Sequence, residues 1–467
     1  MSSSNPETLP VAVIGAGPVG LAAAAHLAER GLDFVVLEAG RHAAASVAQW
    51  RHVRMFSPWR YDIDAAARRL LDAAGWTAPD PELLPTGAAL VDAYLRPLAK
   101  LPAIAPRLRY GARVVAISRV GVDRVRSRGR EGAPFVIRLA DGAEILARAV
   151  IDASGTWTMP NVLGANGLPA HGETDLPGVI EQALPDVLGA DRDRFAGTRV
   201  LVVGAGHSAA NTLLNLADLA AAEPGTTVYW AIRAANASRA YGGGDNDALP
   251  ARGALGTRLL AHVEAGRIRL LTGFSTHTLR ATEGEDGVEV VALDGAGGRR
   301  AVTVDRIVSA TGFRPDHTIS SELRLDLDPI VESPRTLAPL IDPNQHSCGT
   351  VPPHGVDDLA HPEPGFYIVG VKSYGRAPTF LLATGYEQVR SVVAALAGDW
   401  EAARDVRLQL PETGVCSSDL ASADDPTTAR SGGCCGPAPV GEPAGRGLVT
   451  GITGGLLATA PRKTLGS

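Results

Sequence analysis

One local pattern occurs twice in this chain, and it constrains the fold more than any other feature. In the first copy an apolar run, Val11 to Ile14, breaks at Gly15-Ala-Gly17-Pro-Val-Gly20, an Ala- and Leu-rich stretch follows, and a second apolar run from Phe34 to Leu37 ends in Glu38. In the second copy Thr198 to Val203 leads into Gly204-Ala-Gly206-His-Ser208-Ala209, a helical stretch runs to about Ala222, and Val228 to Ile232 ends at Arg233. Short unbroken apolar runs suit strands buried on both faces, so each copy reads as strand, tight turn, helix and strand. The first glycine allows the turn, the second lets backbone approach a pyrophosphate, and the third position sets how closely helix packs on strand. The helix N-terminus then turns unpaired N–H groups and a partial positive charge toward phosphates. Both copies are expected to hold dinucleotides.

The residue that closes each copy differs in charge. Glu38 is placed to accept hydrogen bonds from adenosine ribose hydroxyls. Laying Phe34 to Leu37 over Tyr229 to Ile232 puts Arg233 where Glu38 stands, and an arginine there pairs bidentately with a 2′-phosphate that a carboxylate repels. The second site therefore reads as NADPH-preferring; the plain alternative for Arg233 is a solvated residue at a strand end.

The chain has 467 residues, enough for two or three domains. Its net charge of -6 argues against nucleic acid as a partner, and 45% hydrophobic with 20% charged residues is ordinary for a globular protein. No basic, apolar leader precedes the first strand and no long apolar run spans a membrane, so the cytoplasm is the expected location.

Between the two copies, Gln49 to Asp64 (QWRHVRMFSPWRYDID) is neither cleanly helical nor strand-like. Its aromatic and guanidinium groups suit either the wall of a flavin site or a capping loop. Helical patterns at Ala65 to Ala74 and Ala88 to Ala99 precede strands at Arg113 to Val120 and Phe135 to Leu139, a small β-meander. The buried run from Ala149 ends in Ala153-Ser154-Gly155, where backbone again lies close to a ligand, and Pro160 to Asp193 reads as a linker. After the second copy, strands are expected at Ile268 to Leu271, Val288 to Leu293 and Ala301 to Val304. Ile307 to Asp316 then breaks into Ala310-Thr-Gly, and Gly365 to Gly370 is a last buried strand, followed by a helix from Pro378 to Leu396.

The two glycine turns, Glu38, Ala-Thr-Gly-Phe-Arg-Pro-Asp from Ala310, and the Gly365 to Gly370 strand with its helix resemble the flavoproteins with two dinucleotide-binding domains. Within these the chain resembles the class B FAD/NADPH monooxygenases through its G-x-G-x-S-A second turn. It is also similar, in WRHVRMFSPWRYDID, IDPNQHSCGTVPPHG and KSYGRAPTFLLATGYEQVRS, to flavin monooxygenases of bacterial arsenic-resistance clusters. The F-x-G-x-x-x-H string of class B enzymes is missing from the Gly167 to Gly197 region that precedes the second turn. The resemblance implies an α/β fold with two Rossmann-like domains, the second inserted in the first. Its expected parts are an FAD-binding segment 8–160, a linker 161–196, an NAD(P)H-binding domain 197–302, a second FAD-binding segment 303–400 and a mobile cysteine-containing tail 401–467. The implied cofactors are FAD, held by Gly15, Gly17, Gly20, Glu38, Gly155 and Gly370, and NADPH, held by Gly204, Gly206, Ser208 and Arg233.

The four cysteines, at 348, 416, 434 and 435, are too few and too lopsided for a disulfide scaffold. Adjacent Cys434 and Cys435, flanked by glycines, are either soft-metalloid ligands or a chance pair in the tail. Cys348 and Arg376 are candidates for contact with flavin or substrate. The leading expectation is an FAD- and NADPH-dependent oxidoreductase, monooxygenase-like, acting on a small soft substrate such as an arsenical. The alternatives are a thiol or metalloid reductase using the tail cysteines, and a metalloid-binding flavoprotein without oxygenase activity.

Overall fold

The first apolar run becomes β1 (Val11–Ile14), buried at every residue because it lies in the middle of a parallel sheet. The computed structural model describes residues 8–407 except 177, 243–248, 283–286, 294–297, 344–350 and 379. Along the chain come β2 (Phe34–Leu37), β3 (Leu108–Arg109), β4 (Val114–Arg119), β5 (Phe135–Leu139), β6 (Glu144–Ala147), β7 (Ala149–Asp152) and β8 (Ile180–Gln182). The second copy contributes β9 (Arg199–Val203), β10 (Thr227–Ala231) and β11 (Ile268–Leu271). Last are β12 (Ser275–Ala281), β13 (Val288–Leu293), β14 (Arg299–Val304), β15 (Arg306–Ser309) and β16 (Phe366–Ile368).

Two five-stranded sheets result, ordered β16-β7-β1-β2-β3 and β11-β10-β9-β15-β8, with parallel ladders throughout. Two antiparallel meanders, β4-β5-β6 and β12-β13-β14, accompany them. Alternation along the central strands builds the layers. Val11 and Val13 join the core that includes helices Pro18–Glu29 and Leu382–Leu396, while Ala12 and Ile14 join the core shared with the first meander. In β9, Val200 and Val202 pack toward helix His207–Ala222, and Leu201 and Val203 toward the second meander. Each unit is therefore helices, sheet and meander in three layers.

The chain leaves the first unit and re-enters it through segments that lie side by side. Pro160 and Phe313 form an antiparallel bridge, flanked by Asn161 N–H to Gly312 O at 2.9 Å and Arg314 N–H to Met159 O at 3.0 Å. The Asn161 amide adds a bond to Thr311 O at 3.1 Å.

Some expected boundaries move. β8 falls in the expected linker 161–196 and β15 in the expected second FAD-binding segment 303–400, yet both pair into the second sheet. The second turn requires this, because β15 leads to Ala310, whose carbonyl oxygen would lie 2.1 Å from a Cβ at Gly204. In the first unit Gly15 meets Ala153, just beyond β7, in the same way. β12 has no counterpart among the expected strands, since Ser275-Thr-His-Thr-Leu-Arg-Ala carries too few apolar residues to stand out. The last long helix starts at Leu382 rather than Pro378. Among the described residues no helix is long and apolar enough to cross a membrane.

Candidate functional site

The first cradle is built by backbone proximity. Gly15 has φ +94, and a Cβ there would stand 2.7 Å from Ala153 O; a Cβ at Gly20 would lie 2.0 Å from Gly15 O. Both positions therefore need glycine. At Gly17, among the described residues and apart from its chain neighbours, no atom lies within 4 Å of a built Cβ, so those residues leave the space beside the helix start open. Helix Pro18–Glu29 has no side-chain cap and a proline in its first turn, which leaves its leading N–H groups to a ligand. This tight turn with an open second position fits a pyrophosphate.

Glu38 closes the cradle at the end of β2. One carboxylate oxygen accepts from Ala16 N–H at 2.7 Å and the other from Gly40 N–H at 2.7 Å. These donors fix the carboxylate at the rim, and the remaining lone pairs stay available to ribose hydroxyls. Gly155 (φ +73) and Gly370 (φ +70) follow β7 and β16, so both expected approach points lie at the same end of the sheet as Gly15.

Two buried polar groups that the sequence reading does not single out join these loops. Lys372 Nζ donates to Asp152 Oδ2 at 2.7 Å and to Ser154 Oγ at 3.1 Å, and both charged side chains are almost fully buried. Gly370 N–H donates to Gln388 Oε1 at 2.7 Å, and the Gln388 amide nitrogen lies 2.9 Å from both Ser373 Oγ and His354 Nε2. His354 Nδ1 faces Pro352 O at 3.1 Å, which fits a neutral ring that donates there and accepts from Gln388. Burial holds His354 below the usual histidine range, in keeping with that state. The sequence signal was present but faint: Asp152 ends an otherwise apolar strand, and Lys372 stands two residues beyond a positive-φ glycine.

The second cradle repeats the backbone. Gly204 has φ +134 against Ala310, Gly206 is open as Gly17 is, and helix His207–Ala222 again lacks a side-chain cap. Its third position is Ala209, fully buried, and Ser208 is half-buried. Trp230, also fully buried, donates its indole N–H to Gly204 O at 2.7 Å.

At the rim the register corrects the sequence alignment. Ile14 pairs with Leu37 and Val203 with Ala231, so the residue equivalent to Glu38 is Ile232, and Arg233 comes one position later. Ile232 is buried and brings no charge, whereas Arg233 is exposed and donates to Ala165 O at 3.0 Å. The guanidinium still stands at the strand end, but from the next residue.

Between the cradles are two aromatic contacts. The Phe56 and His207 rings are 4.9 Å apart, and Trp157 stacks on Phe313 at 4.9 Å, its indole N–H donating to Gln49 Oε1 at 2.8 Å. Arg376 is engaged elsewhere: it donates to Glu332 Oε1 at 2.7 Å, and Glu332 has a left-handed backbone at φ +59. Cys348, Cys434 and Cys435 lie outside the described residues. Among the described residues no group of His, Cys, Asp and Glu is arranged to hold a metal ion.

Comparison with known proteins points the same way as this geometry. Residues 10–78 match the family model described as FAD dependent oxidoreductase. The chain is 30% identical over 371 residues to a ferredoxin–NADP reductase of Gluconacetobacter diazotrophicus, covering 77% of this chain and 86% of that protein. It is 32% identical over 213 residues to the indole-3-pyruvate monooxygenase YUCCA1 of Oryza sativa subsp. japonica, 44% of each chain. Among solved structures, the bacillithiol disulfide reductase Bdr of Bacillus cereus is similar in fold, with a TM-score of 0.60, 17% identity and coverage of 84% of this chain and 99% of that one.

Proposed function

Because the chain belongs to the FAD-dependent oxidoreductases, the family of the ferredoxin–NADP reductase it matches over most of that protein's length, we propose that it oxidises NADPH through bound FAD and passes the electrons to an external acceptor. The observation that carries this reading is the pair of glycine cradles with opposite rims, Glu38 on one and Arg233 on the other. Bound FAD supplies the electron relay between a reduced pyridine nucleotide and an acceptor, chemistry no side chain can perform.

The chain's own residues bind and orient. Gly15, Gly17 and Gly20 admit the FAD pyrophosphate, Glu38 accepts from its ribose, and Gly155 and Gly370 let two further loops approach the cofactor. Gly204, Gly206 and Ser208 take the NADPH pyrophosphate, and Arg233 takes its 2′-phosphate. The Lys372 to Asp152 pair and the Gln388 to His354 chain keep the two flavin-side loops together.

A ferredoxin is the first reading for the acceptor, because the relative bearing that name is spanned over 86% of its length. Monooxygenation of a small soft substrate, an arsenical among them, is the second, favoured by the 32% identity to YUCCA1. The missing F-x-G-x-x-x-H string counts against that second reading. Anaerobic titration with NADPH and with NADH, followed by the flavin absorbance, tests the core of the proposal. Preferential bleaching by NADPH supports it; protein that takes up no flavin, or that accepts both nucleotides equally, refutes it. Turnover with ferredoxin, compared with aerobic turnover on arsenite and organic sulfides, then separates the two acceptors.

A further inference from the structure

Phe56 plays no part in the scheme above, yet its position is built. It belongs to the 49–64 segment of the first unit, and its ring lies 4.9 Å from that of His207, the first residue of the second unit's helix. On one side of it Met55 N–H donates to Pro85 O at 2.8 Å. On the other, Ser57 Oγ donates to Asp62 Oδ1 at 2.8 Å, and the backbone N–H of buried Trp59 donates to Leu83 O at 3.1 Å. The same segment reaches the path between the units through Gln49, which holds Trp157 against Phe313. One stretch of the first unit thus touches both the inter-unit crossing and the mouth of the second glycine turn.

We propose that Phe56 is a positioning residue for the second nucleotide: from the first unit, its ring completes the pyrophosphate berth formed by Gly206, His207 and Ser208. The proposal rests on the reading of that turn as the NADPH site. Among the described residues nothing lies within 4 Å of a Cβ built at Gly206 and the helix has no side-chain cap, so its leading N–H groups are stronger donors to a phosphate wherever water is kept away from them. An aromatic ring against His207 removes water from one side, and N–H to phosphate attraction strengthens as the local dielectric falls. The contact also ties a nucleotide held there to the unit that carries the other cradle.

The test uses the full-length, FAD-loaded protein and its Phe56→Ala and Phe56→Tyr variants. Each is titrated with NADP⁺ and with 2′-AMP, which carries the adenosine and the 2′-phosphate but no pyrophosphate. Phe56→Ala is expected to weaken NADP⁺ about three- to tenfold, the range of a lost aromatic pair, with 2′-AMP affinity and flavin content unchanged. Phe56→Tyr restores NADP⁺ binding. Phe56→Leu replaces the alanine variant if that one fails to retain flavin. Unchanged NADP⁺ affinity overturns the proposal, and so does an equal loss for both ligands, which marks a global change. Wild type that binds neither ligand overturns the NADPH reading itself, and is told apart because the failure precedes any substitution.

Discussion

The two glycine cradles share a backbone and differ at two places. The first is the third position of the turn, where Gly20 has no room for a Cβ and its counterpart Ala209 already carries one in a fully buried setting. The second is the rim, where Glu38 is clamped by two backbone N–H groups while buried Ile232 and exposed Arg233 divide the equivalent place. A scaffold used twice in one chain needs little more than this to prefer different nucleotides, since the turn and helix serve any pyrophosphate and the rim reads the ribose.

Exchanging the third-position residues gives the sharpest test. Gly20→Ala forces the helix away from the turn, and is expected to abolish FAD retention and lower stability by about 2 kcal/mol or more. Ala209→Gly, the reverse change in the other cradle, costs about 0.5–1 kcal/mol and leaves NADP⁺ binding in place. Thermal melting with flavin absorbance measures both, and equal effects would erase the distinction. The rim comes next. Glu38→Gln replaces one acceptor oxygen by a donor, so either Ala16 or Gly40 loses its partner; FAD dissociation should rise roughly ten- to hundredfold with NADP⁺ affinity unchanged. Arg233→Ala is smaller because the side chain is exposed: NADPH should weaken about tenfold while NADH is unaffected. An equal loss for both nucleotides would show that Arg233 does not read the 2′-phosphate.

Both cradles were legible because each is local: strand, turn, helix and strand follow one another within one short stretch, and glycine spacing records backbone crowding directly. Features that depend on distant partners were not. The assignment of β15 to the second sheet depends on where Ala310 O meets Gly204, and the Arg233 alignment slips by one residue because register is set between strands rather than along one. Lys372 and Asp152 stand far apart in the chain and meet because β16 pairs with β7, while Gln388, in the helix Leu382–Leu396, meets His354 from a loop that precedes β16. Phe56 sat inside a segment whose composition suited either a flavin wall or a capping loop. The structure adds that its ring touches His207 at the start of the second unit's helix, a contact between segments far apart in the chain.

The segment that carries Phe56 also introduces a pH dependence on the first unit's side of the comparison. Asp62 is buried, one of its oxygens accepts from Ser57, and the other has no hydrogen-bond partner among the described residues. Burial pushes its carboxyl up to about 7, with the Ser57 bond opposing in part. Neighbouring Asp64 is held differently, by His26 at 3.0 Å and by Ala67 N–H at 2.8 Å, and Tyr386 donates to the Asp62 carbonyl at 2.8 Å. A carboxyl raised in the folded state favours folding most when it is protonated in both states, below the unfolded value of about 4. That contribution is lost as pH rises through 7. Melting temperature should therefore fall between pH 5 and pH 8 in the wild type, by a few degrees. In Asp62→Asn, which cannot ionise, the fall should be shallower, so the variant gains on the wild type at pH 8 relative to pH 5. Parallel melting profiles for the two proteins would mean that Asp62 does not titrate in this range. If the profiles diverge but NADP⁺ affinity does not follow them, the pin formed by Ser57 and Asp62 stabilises the first unit without transmitting to Phe56.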